Sequence, residues 1–178
     1  MIYSVSIPEN ITFEDAIAIT QSLIAQSQAG SISDSDLAAA ISQLVDSENG
    51  ARGFFVTYLT DTRPIPEQMT PETQKALESS PEIVSELLVK NLAMSAAMVV
   101  YHHRHQNEDM AASSDLVRSR CIELIQALNL PPVKSLLQQL LETSQTGEGP
   151  YQDFLERWGY DTDQREAIAT SVHLAAIV

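Results

Sequence analysis

The run from Pro81 to Gln106 constrains this chain more than any other stretch. Wound at about 100° per residue, Ile83, Val84, Leu87, Leu88, Val89, Leu92, Met94, Val99 and Val100 spread around nearly the whole circumference, and only Glu86 and Lys90 clearly want water. A helix that is apolar on most sides is packed on most sides. The run therefore predicts a central buried helix near 81–106 with the other segments wrapped round it. Ala93, Ala96 and Ala97 would let those neighbours approach closely.

The rest of the chain supplies helices to do the wrapping. Thr12 can cap a first helix that Gly30 stops. Ser33 caps a second over Asp34–Ser47, with Leu37, Ile41, Leu44 and Val45 as its stripe and Gly50 as its end. Residues 51–60 have strand-like chemistry, but Phe54, Phe55, Tyr58 and Leu59 fall on one helical face. No comparable strand exists to pair with them, so a helix is expected. Thr70-Pro71 and Ser80-Pro81 are cap and first-turn signals on either side of a short helix. The long helix runs to about Gln106, and to Met110 if it continues. Further helices fit Asp115–Leu128, a segment from Pro132 to about Thr143, Pro150–Trp158 closed by Gly159, and a last one capped by Asp161 with Gln164 three residues on. The expectation is one all-α domain over residues 1–178, an irregular or orthogonal bundle of about nine helices. No linker long enough to separate two domains stands out.

Charge narrows the function classes. The net charge is −14, from 24 acidic and 10 basic residues. Such a balance argues against nonspecific nucleic-acid binding, which needs a basic surface, and against anionic membranes. Residues 1–51 hold seven acidic residues and no Lys or Arg, whereas residues 100–134 balance, so an anionic ligand would sit near the second region. Met1–Asn10 lacks the basic start and apolar run of a signal peptide, and the uncharged stretch Asn91–His103 is short and polar for a bilayer span. A cytoplasmic location is expected. Cys121 is the single cysteine and reads as a buried structural thiol.

One strip on the long helix breaks its apolar pattern. Asn91, Ser95 and His102 project within about 40° of each other, with His105 at the edge and Asp109 joining if the helix continues. Polar groups in a packed interior must be hydrogen-bonded or they cost free energy. A ligand held by Asn91, Ser95, His102 and the nearby Arg104 would satisfy them. So would a metal on His102, His105 and Asp109, since a three-residue spacing can aim two imidazoles at one ion. No HExxH pattern and no pair of Glu-x-x-His motifs accompanies them. The favoured reading is that His102–Gln106 is the polar end of a buried helix emerging into water, with His and Arg complementing the helix dipole. His173, near the end of the last helix, reads the same way.

Other motifs are weighed against packing. Gly50-Ala51-Arg52-Gly53 could open a helix as an anion loop but matches neither the Walker nor the dinucleotide fingerprint, so a tight interhelical turn is preferred. Tyr151, Phe154 and Trp158, at i, i+3 and i+7, could grip a partner helix, although core packing is the commoner use of such a stripe.

The runs Gly50-Ala51-Arg52-Gly53-Phe54-Phe55-Val56-Thr57-Tyr58-Leu59, Ser80-Pro81-Glu82-Ile83-Val84, Gly147-Glu148-Gly149-Pro150-Tyr151 and Glu156-Arg157-Trp158-Gly159-Tyr160 resemble a family of small acidic helical proteins from cyanobacteria. The resemblance covers most of the chain. That family has no established activity, so the resemblance implies a cytoplasmic helical protein and transfers no catalytic residue and no cofactor. The function expected is a non-enzymatic helical protein–protein interaction module, as a homodimer or with another protein. The alternative is a small-molecule or metal-binding protein using the Asn91, Ser95, His102 and His105 strip.

Overall fold

The computed structural model describes residues 5–176, and the reading of Met1–Asn10 falls partly on residues 1–4, which lie outside them. Among the described residues there are nine α-helices, one 3-10 turn and no strand. In chain order they are α1 (Phe13–Gln28), α2 (Asp34–Val45), α3 (Glu48–Thr60), the 3-10 turn Pro66–Gln68, α4 (Pro71–Glu78), α5 (Pro81–Arg104), α6 (Glu108–Ala127), α7 (Val133–Thr146), α8 (Gln152–Trp158) and α9 (Thr162–Ala176). The fold is all-α, a multi-helix bundle, as the periodicity predicts.

The chain divides into two compact units, Met1–Leu87 and Leu88–Val178. No composition shift marks the division because it falls inside α5, where the sequence is continuously helical. Within the first unit α1 packs on α3, and α2 packs on both α3 and α4. Within the second, α9 packs on α7 and α6.

The start signals are realised atom by atom. The hydroxyls of Thr12, Ser33 and Thr70 accept the backbone N–H groups of Asp15, Asp36 and Thr73 at 3.1, 3.1 and 3.2 Å. Each satisfies one of the donors that a helix start leaves without an intrahelical partner. At α9 the Asp161 carboxylate accepts from Gln164 N–H at 3.0 Å, and the Gln164 side chain accepts from Asp161 N–H at 3.1 Å, a reciprocal capping box.

Three boundaries differ from the sequence reading. Gly50 does not end α2. That helix stops at Val45, and Ser47 caps α3 by accepting from Gly50 N–H at 3.2 Å. The expected glycine turn at 50–53 is therefore helix. A Cβ on Gly53 would stand 2.5 Å from Ala16 Cβ and 2.6 Å from the Phe13 carbonyl oxygen, so this glycine lets α3 press against α1. It does not form an anion loop.

The long helix does not reach Gln106. Its last turn closes with Asn107 N–H on the His102 carbonyl at 2.9 Å and Gln106 N–H on the His103 carbonyl at 3.1 Å, with Gln106 at φ 54°. This is a Schellman stop with glutamine where glycine usually sits. Third, Asn107 then caps α6, which starts at Glu108 rather than Asp115.

From Pro81 to Val100 every residue of α5 except Glu82 is buried or half-buried, as the apolar circumference requires. Val84, Leu88, Val89, Leu92, Ala93, Ala96 and Ala97 are at most 1% exposed. By length and composition α5 is also the one helix among the described residues able to cross a bilayer, and half of its apolar window is buried in the fold. Cys121 is fully buried, and burial pushes its thiol up, out of reach of thiolate chemistry near neutral pH.

Candidate functional site

The strip predicted on α5 lies in the second unit, and two of its members, Ser95 and His105, bond to backbone carbonyls of the same stretch. The Ser95 hydroxyl donates to the carbonyls of Asn91 at 2.6 Å and Leu92 at 3.1 Å on its own helix. Such back-bonding satisfies a serine in a helix interior with no outside partner. His102 is 9% exposed, and its ring meets Tyr101 edge-on at 5.4 Å. His105 is exposed. Its Nδ1 donates to the Tyr101 carbonyl at 2.7 Å while its ring stacks on Tyr101 at 4.1 Å. The stop at Gln106 carries Asp109 into the first turn of α6. The helical projection that grouped His102, His105 and Asp109 does not hold past Arg104. Among the described residues no group of three His, Cys, Asp or Glu side chains could hold a metal ion.

Arg104 is engaged by carboxylates. Its guanidinium bonds both Asp161 and Asp163 at the start of α9. The Arg104 hydrogen bond first, and the Gln164 backbone amide second, hold the Asp161 carboxyl below its usual range. The same carboxylates raise Arg104 further above its ordinary value. An anionic ligand here would have to compete with two fixed carboxylates. In this way α5 and α9 are tied at one end by an ion triad and further along by the Gln164 side-chain amide, which donates to the Ala97 carbonyl at 3.2 Å. His103 pairs with Glu108 at 3.0 Å on the surface.

The aromatic stripe on α8 splits. Tyr151 is buried and meets Phe154 edge-on at 6.2 Å, as a core residue would, whereas Trp158 is 54% exposed. It lies next to Gly159, whose φ of 62° ends the helix.

Two concave features lie away from this strip. One is a groove of about 460 Å³ in the second unit, walled by Ile125 of α6, Val133, Leu137 and Leu141 of α7 and Val172 of α9. Lys134, Gln138 and His173 stand at its edge, and its floor is mostly apolar. The other is a smaller cavity of about 70 Å³ in the first unit, among α1, α2, α3 and the 61–70 connection. The sequence reading singled out neither. The groove had a signal in α7, where Leu136, Leu137, Leu140 and Leu141 form a stripe broader than one neighbouring helix covers, leaving Leu136 and Leu141 half-buried. The cavity had none, because a void is the part of a core that side chains fail to fill.

A family model described as uncharacterised conserved protein UCP020893 matches residues 12–175. The chain belongs to that family, which supplies no activity to transfer. Searches of the curated proteins and of the solved structures gave no match.

Proposed function

We propose that this member of the family is a non-enzymatic, water-soluble and cytoplasmic helical interaction module that associates through its second unit, with the groove between α7 and α9 receiving an apolar helix of a second copy. The groove carries the reading. Its walls are leucine, isoleucine and valine, and its edge offers polar groups and a lysine, the pattern by which amphipathic helices are held in grooves. Two further observations favour the same unit. Of the six large apolar side chains exposed among the described residues, Tyr101, Met110, Leu116, Trp158 and Leu174 lie in it and only Val56 lies in the first. The first unit carries 13 acidic against 3 basic residues and the second 11 against 7, so copies repel each other least through the second.

The test is sedimentation of the purified chain from low to high micromolar concentration. The mass is expected to rise with concentration in the wild type. Leu141→Glu, which puts a charge on a half-buried groove wall, is expected to abolish the rise while leaving the helical circular dichroism intact. A wild type that stays at monomer mass throughout, or a Leu141→Glu variant that associates as well as the wild type, overturns the proposal.

A further inference from the structure

The cavity in the first unit is graded from apolar to polar. Its inner walls are Leu23, Ile24, Ile41, Phe54 and Tyr58, all at most 3% exposed. Its outer lining includes the exposed side chains of Gln28, Asp34 and Gln68. Ile65 and Met69 lie across it on the short connection that carries the 3-10 turn. Well-packed interiors leave few voids larger than a water molecule. At about 70 Å³ this one is roughly half the volume known to admit a benzene ring. That suits a short alkyl group and excludes a full ring from the enclosed part.

Besides the buried Tyr58 hydroxyl, two threonines bear on what the inner part can bind. Thr20 spends its proton on the Ala16 carbonyl at 2.7 Å. Thr73 is 4% exposed, and its hydroxyl oxygen accepts from the Thr70 hydroxyl at 3.2 Å, which leaves the Thr73 proton to give. A buried donor beside an apolar void selects a ligand with an acceptor oxygen next to its alkyl group. The surroundings select against a negative head. Asp34 is at the mouth, and the unit carries 13 acidic against 3 basic residues.

We propose that the cavity beneath Ile65 and Met69 is a binding site for a small neutral molecule with a short branched alkyl end and one hydroxyl or carbonyl oxygen, the oxygen accepting from Thr73. Isobutanol is the probe and isobutyrate its charged counterpart, each titrated into the full-length chain while the methyl resonances of Leu23, Ile24, Ile41 and Ile65 are followed. Isobutanol is expected to shift those methyls saturably, and isobutyrate to bind at least about tenfold more weakly. Thr73→Val keeps the side-chain shape and the backbone N–H that Thr70 caps. It is expected to weaken isobutanol about tenfold and to leave xenon binding, which needs only the void, unchanged. Shifts that stay linear in the wild type, equal affinity for alcohol and carboxylate, or a Thr73→Val variant that binds isobutanol as well as the wild type would each overturn the proposal. The first two readings use the wild type alone, so they stand if the variant does not fold.

Discussion

Gln106 and Gly53 carry opposite lessons about single residues. Gln106 sits at φ 54°, the one non-glycine residue with positive φ among the described residues. A side chain in that region costs about 1–2 kcal/mol in backbone sterics, from which glycine is exempt. Gln106→Gly is therefore expected to raise stability by about 0.5–1 kcal/mol, part of the relief being lost to the greater freedom of an unfolded glycine, read as a higher denaturation midpoint. A fall in the midpoint would mean that the stop is not built as described. Gly53 is a glycine in a helix interior, a position that would favour alanine if propensity alone decided. Yet a Cβ there would collide with Ala16 and with the Phe13 carbonyl. Gly53→Ala is expected to cost about 1–3 kcal/mol in the same denaturation experiment, because backbone must move to admit the methyl. These two residues explain the misread boundaries. The stretch Gly50–Gly53 that reads as a turn is helix, with Gly53 serving close packing, and the left-handed stop falls on a glutamine instead. The identity of one residue does not reveal the backbone angle that tertiary contacts impose on it.

At the scale of elements, four helix starts are legible in the sequence and side-chain partnerships are not. Thr12, Ser33, Thr70 and Asp161 cap where the sequence places them, because the capping residue and the amide it satisfies lie three residues apart. Arg104 finds its carboxylates 57 and 59 residues away, a pairing that spacing along one helix cannot disclose. Along the polar strip on α5, the partners of Ser95 and His105 are not legible in the sequence, namely its own helix carbonyls for Ser95 and the Tyr101 ring and carbonyl for His105. The triad joining α5 to α9 makes stability depend on pH. Because Arg104 lowers the Asp161 pKa in the folded chain, the carboxylate's contribution is complete above the ordinary aspartate range of about 4 and is lost as pH falls through the lowered value. Asp161→Asn keeps a capping side chain and removes the charge. The gap in melting temperature between wild type and Asp161→Asn is expected to be widest near neutral pH, to narrow below about pH 4, and to shrink with added salt because the pair is partly exposed. A gap that does not change with pH would remove the triad from the account.

For the whole molecule, the apolar circumference of α5 pointed to the all-α fold, and through Val100 every residue but Glu82 is buried or half-buried. The division into two units interrupts no helical pattern, since it falls inside α5. The unequal distribution of charge was legible from the first 51 residues, which lack any lysine or arginine. Exposed apolar side chains gather in the less charged unit, and there the groove between α7 and α9 gives the proposed association its place. Amide hydrogen exchange at low and high protein concentration tests that claim most directly. The account predicts added protection at high concentration that includes Val133–Leu141 of α7 and Val172–Ala176 of α9 and stays within the second unit. Exchange that is the same at both concentrations, or protection gained in the first unit instead, would contradict it.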